Sequence, residues 1–181
     1  MNSRFVPFVL SLFLAAAGLA QNAEVKKPLI SSDLGGRELG FLIKANEHGV
    51  LMLYLAELAK TRSAAKAVQA LGDLLASTQG EENSRLVQLA SSKGMSFKAE
   101  TPAALKKLQT RIDSLTGEAF DKACVGEIVL LAREAVGNYE SGAKSKDAEI
   151  RAFAEQGLQL AKDKQKIAQK VAGAGEAAAA P

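Results

Sequence analysis

The chain reads as an all-α protein: an up-and-down bundle of four long helices with one extra short helix. Three observations carry this. Apolar residues recur at spacings of three and four through four stretches of about 25 residues each, which lines one face of a helix. No segment alternates with the period of two that a half-buried strand requires. The four prolines, Pro7, Pro28, Pro102 and Pro181, all fall outside helix interiors.

The first twenty residues have the layout of a secretory signal peptide cleaved after Ala20. Arg4 supplies a basic start, residues 5–17 are apolar, and the small residues Gly18 and Ala20 precede the polar Gln21. A spanning helix needs about 20 apolar residues, so this run is too short to cross a membrane. Residues 21–32 show no apolar period and read as a linker. The bundle is expected over residues 33–171, and the Ala/Gly-rich residues 172–181 read as a disordered tail.

Ser31, Ser32 and Asp33 offer oxygens to cap a first helix that runs to about Thr61, with Phe41, Leu42, Ala45, Gly49, Met52, Leu55, Ala56 and Ala59 on one face. A second helix is expected over residues 63–92. Its middle, Ser77-Thr78-Gln79-Gly80, is weak in helix propensity and could loosen it. Gly94 falls where a left-handed cap belongs. Thr101-Pro102 announces a short third helix over residues 102–115, with a capping hydroxyl ahead of a proline at the first helical position. The fourth, over residues 118–139, carries Phe120, Cys124, Ile128, Leu131, Ala135 and Tyr139. The fifth, over residues 147–171, carries Ile150, Phe153, Ala154, Leu158, Ala161, Ala168 and Val171. The short connections favour a compact bundle over a coiled-coil rod.

Charge and composition exclude several activities. The whole chain carries 23 basic and 20 acidic side chains, and residues 1–20 hold one of them, Arg4, so the remainder has a net charge of +2. Nucleic acid calls for a clustered basic footprint, which is missing. The single cysteine, Cys124, makes no internal disulfide even in an oxidising compartment. There is one histidine, His48. No phosphate-binding loop or nucleophile-elbow motif occurs, so acyl and phosphoryl transfer are unsupported and no cofactor is expected.

Four stretches together resemble a known family. They are Phe41-Leu42 with Ala45, Gly49 and Leu58-Ala59; Leu86-x-x-Leu89-Ala90 with Gly94; Leu115-x-Gly117-x-x-Phe120-Asp121; and Ile150-Arg151-Ala152-Phe153-Ala154. In order and spacing they look like the exported bacterial family catalogued as domain of unknown function 4142, whose members are often labelled outer membrane proteins. The resemblance covers about residues 33–171. It implies a ferritin-like fold and no enzymatic activity. It also implies an inward polar site, built in the family from a Glu in the first helix and a His in each of the second, fourth and last. Those positions fall here on Met52, Gln79, Ala132 and Lys164, with Thr78 in place of an Asp and Cys124 in place of a Tyr. A metal needs imidazole, carboxylate or thiolate donors converging from facing helices, and these replacements do not supply them.

The remaining candidates each have a plain structural reading. His48 is a lone imidazole without chelating partners. Cys124, between Phe120 and Ile128, is expected in the core as an unreactive small hydrophobe. Glu127 and Glu134, and likewise Glu81 and Glu82, could do acid/base work or hold iron. The Glu-x-x-His pair of di-metal bundles occurs nowhere, so they are expected on solvated faces. Asp121 suits an interaction with the free amides at its helix start. Lys162, Lys166 and Lys170, with Lys164 beside them, read as a solvated basic face near a helix C-terminus, or else as a strip for anionic lipid or envelope polymer.

The expected protein is thus an exported, periplasmic or envelope-associated bundle without catalytic, cofactor-binding or metal-binding residues, acting as an interaction module for an envelope protein or polymer. The alternatives are a degenerate ferritin-like oxidase or metal store, and a binder of anionic envelope components through the last helix. At the vacated site, Met52 and Ala132 should face inward and the Gln79 amide should need a buried partner. Lys164 should carry its ammonium out to solvent, leaving this region apolar.

Overall fold

The computed structural model describes residues 34–97 and 102–178, with side chains through residue 175. The signal-like segment, the linker, the capping residues Ser31 to Asp33 and Thr101 lie outside the described residues. The order is α1 (Gly36–Arg62), α2 (Lys66–Ser92), α3 (Ala103–Ile112), α4 (Gly117–Gly142) and α5 (Ala148–Ala178), with no strand among the described residues. Helix α1 packs on α2 and α4, and α5 on α4 and α2, so the four long helices close into a ring. Helix α3 sits against α1 and α4 within the connection between α2 and α4. The all-α bundle expected from the apolar spacing is the fold observed.

Local chemistry sets the helix ends. At the end of α2, Gly94 takes φ 70°, its amide donates to the Ser91 carbonyl, and the Met95 amide donates to that of Ala90. This is a Schellman cap, which satisfies carbonyls the helix leaves free. Helix α2 starts at Lys66, later than expected, because Ser63 is used in the turn: its Oγ accepts the Ala65 amide and its carbonyl accepts Gln69 Nε2. The helix continues through Ser77 to Gly80, where Thr78 Oγ1 returns a hydrogen bond to the Leu74 carbonyl at 2.9 Å. Asp147 caps α5, its Oδ1 accepting the Glu149 and Ile150 amides at 3.0 Å. Helix α5 runs on to Ala178, past the tail boundary expected at residue 172. The alanines that suggested disorder have the highest helix propensity of any residue, and an already formed helix extends over them at little cost.

The core is in two parts. One surrounds Met52, Leu55, Leu75, Ile112, Phe120 and Ile128. The other surrounds Phe41, Leu42, Leu86, Tyr139, Ile150 and Phe153. In the second, Phe41 meets Tyr139 and Phe153 edge-on, with ring centroids 5.6 and 6.2 Å apart. The helices approach closely at glycines. Gly72 brings α2 onto the α1 backbone at Lys60 and Ala56, and Gly157 leaves room on α5 for the Tyr139 ring. Where the two cores meet, the interior turns polar.

Candidate interior polar site

The polar layer is built from α2, α4 and α5. On α2, Leu75, Gln79, Glu82 and Leu86 follow one another at spacings of four, three and four, so all four point inward and all are buried. On α5, Ala161, Lys164 and Ala168 continue the inward stripe in the same way, and Lys164 is only 5% exposed. Tyr139 of α4 closes the layer at 6% exposure.

Every polar group in this layer has a partner. Lys164 Nζ donates to Glu82 Oε2 at 2.6 Å and to Gln79 Oε1 at 2.8 Å. The Tyr139 hydroxyl donates to the other Glu82 oxygen. Gln79 Nε2 donates to Asn83 Oδ1 at 2.9 Å, which leaves its carbonyl oxygen aimed at the lysine. Burial, followed by the charge and hydrogen bond of Glu82, pushes the Tyr139 phenol well above its ordinary range, so it stays a donor. Beside these groups lies a cavity of about 20 Å³, lined also by His48, Met52 and Ala132. That is room for about one water and no substrate.

Two expectations are corrected here. Lys164 does not reach solvent, and Glu82 does not lie on a solvated face. The basis for expecting otherwise was the high cost of burying an unpaired charge. In the structure neither charge is unpaired, because the two helices bring them together, and the Gln79 amide adds a hydrogen bond to the ammonium and the Tyr139 phenol one to the carboxylate. Met52 (3% exposed), Ala132 (1%) and Gln79 (6%) do face inward as expected, the last with the buried partners its amide requires. The region is therefore polar, not apolar.

The other candidates are dispersed. Glu81 is exposed. Glu127 pairs with Arg111 at 2.9 Å, far from the polar layer, and Glu134 is exposed on the rim of a groove. Among the described residues no three His, Cys, Asp or Glu side chains come together. His48 lies on α1 with Nε2 3.7 Å from Glu134 Oε2, and its Nδ1 is buried without a partner. It lines both the internal cavity and a surface groove of about 580 Å³ between α1 and α4. Burial lowers its pKa, opposed by the charges of Glu134 and Glu47. Cys124 is fully buried, with Sγ 3.7 Å from the Leu55 carbonyl, and burial pushes its thiol up to about 12. Asp121 does not take up helix amides: its Oδ1 is buried with no partner. Lys162, Lys166 and Lys170 are exposed, as expected.

Comparison with known proteins accords with the all-α fold. The family described as "Domain of unknown function (DUF4142)" matches residues 23–171. The chain belongs to the DUF4142 family. No curated protein matches the chain significantly. Among solved structures, the crystal structure of "putative secreted protein DUF305 from Streptomyces coelicolor" superposes with a TM-score of 0.66 at 10% sequence identity, covering 77% of this chain and 92% of that one. At that identity the likeness is one of fold. The DUF4142 chain shares the neighbour's all-α architecture, and no helix among its described residues is long and apolar enough to cross a membrane.

Proposed function

We propose that this DUF4142 chain is an exported, non-enzymatic helical bundle that serves in the periplasm or cell envelope as an interaction module. One observation carries the reading. The charged and polar groups of the layer between α2, α4 and α5 are committed to one another, with Lys164, Glu82, Gln79 and Tyr139 joined in a single network around space for about one water. A general acid or base must reach a substrate, and a metal needs open donor positions. Neither condition is met where the donors already hold an ammonium group. The signal-like layout of residues 1–20 and the naming of the fold neighbour as a secreted protein support export.

Crosslinking in intact cells, followed by fractionation and N-terminal sequencing of the recovered chain, tests this. The expected product begins at Gln21 and is crosslinked to a component of the envelope. Recovery of the uncleaved chain in the cytosolic fraction would defeat the proposal.

A second reading, binding of anionic envelope polymer or lipid, is favoured by one observation. Lys162, Lys166 and Lys170 project from one face of α5 and take part in no ion pair among the described residues. It requires envelope binding that weakens with salt and is lost when all three are changed to Gln.

A further inference from the structure

The oxygens around Lys164 are arranged as the ligands of a cation. Glu82 Oε2 and Gln79 Oε1 converge on Nζ at 2.6 and 2.8 Å. Each is aimed by a second partner: the Tyr139 hydroxyl holds the other Glu82 oxygen, and Asn83 holds the Gln79 amide nitrogen. Outer partners of this kind fix the direction of inner ligands in ion sites. One carboxylate, with a neutral amide and a neutral phenol beside it, balances a single positive charge. The small side chain of Ala161 on α5 borders the adjoining cavity of about 20 Å³.

We propose that Gln79 and Glu82, aimed by Asn83 and Tyr139, form an internal site for a monovalent, hydrogen-bond-donating cation, and that the ammonium of Lys164 is its tethered occupant. The site is thereby closed to free ions in the native chain. Shortening Lys164 opens it to a primary alkylammonium whose alkyl chain follows the path of the missing methylenes. Divalent metals are poor occupants, because one carboxylate leaves half their charge uncompensated and one neutral amide oxygen beside it does not complete their shell. The interaction role proposed above stands or falls separately, since it does not depend on what a shortened variant binds.

The test is thermal unfolding of full-length K164A in n-propylammonium chloride, which replaces the atoms removed beyond Cβ. Ionic strength is held constant with sodium chloride, and potassium and manganese chlorides are run in parallel. At ten times its dissociation constant the ligand should raise Tm by about 3–6 °C for a chain of this size. The rise should saturate, exceed that with manganese, and be absent from the native chain and from K164A/E82Q. Equal responses in all three proteins, no response in K164A, or a larger response to manganese would each overturn the proposal. Should K164A not fold, its refolding from urea gives the same reading. Recovery of the helical circular dichroism signal with n-propylammonium, and not with sodium, supports the site; no recovery with either refutes it.

Discussion

Replacing Lys164 by Met keeps the unbranched stem as far as Cε and removes the ammonium, so it largely separates the ion pair from the packing. Lys164 and Glu82 are 5% and 7% exposed. In K164M the Glu82 carboxylate would remain in the interior, holding the Tyr139 hydroxyl but no cation, and the Gln79 carbonyl would lose its donor. Removing one member of a buried pair in this way costs roughly 3–5 kcal/mol, against at most about 1 kcal/mol for an exposed pair. For a chain of this size that is a fall in Tm of roughly 6–20 °C. In K164M/E82Q the stranded charge is gone, while the amide that replaces the Glu82 carboxylate can still accept the Tyr139 hydroxyl, so at least about 2 kcal/mol should return. Urea unfolding of native, K164M, E82Q and double-variant chains, followed by circular dichroism, gives the full cycle. If K164M unfolds within about 1 kcal/mol of the native chain, the lysine is solvated and the account of the polar layer fails.

Three further outcomes follow from the same structure. Cys124 should resist a bulky maleimide until the chain unfolds, and Cys124→Ser should cost roughly 1–3 kcal/mol by placing a hydroxyl in the core; rapid labelling of the folded chain would contradict its burial. Gly72→Ala should cost roughly 1–3 kcal/mol, since its Cβ would lie 2.6 Å from the Lys60 nitrogen and 2.7 Å from the Ala56 carbonyl, both fixed backbone atoms. Gly80→Ala, with nothing within 4 Å, should instead stabilise α2 by up to about 1 kcal/mol, and similar behaviour of the two would contradict the packing. Burial, opposed by Glu134 and Glu47, holds the folded His48 below its ordinary 6.5, so the unfolded chain takes up this proton first. The stability His48 contributes is therefore present above pH 6.5 and lost as pH falls through the folded value. His48→Gln should flatten urea midpoints over that range, and an unchanged slope would show that the imidazole is not desolvated.

The bundle was legible because its inward stripes are long and regular, so the fourth helix with Phe120, Cys124 and Ile128 could be placed from spacing alone. The Gly94 cap was legible for a conformational reason, since a left-handed turn residue is most easily glycine. At Lys164 and Glu82 charge points to solvent while periodicity points inward, and the structure follows periodicity. Lys164 stands three residues after Ala161 and four before Ala168, on the inward stripe, and is turned away from the face of Lys162, Lys166 and Lys170. Glu82 has the same relation to Gln79 and Leu86. Two opposite charges at inward positions of separate helices are the signal that could have found the pair. What spacing alone did not contain was the registry of α2 against α5, which decides whether those charges meet. The unmet oxygen of Asp121 shows the converse, since a position in the first turns of a helix does not guarantee that an acidic side chain reaches the amides there.

The most direct test of the central claim, that the interior cation of this DUF4142 bundle is its own lysine, is the metal content of the full chain purified from its native cells, measured with thermal unfolding before and after chelation. The account predicts far less than one iron, manganese or zinc per chain, and a Tm that a chelator leaves unmoved. One or more metal ions per chain, with a Tm that falls when they are removed, would contradict it.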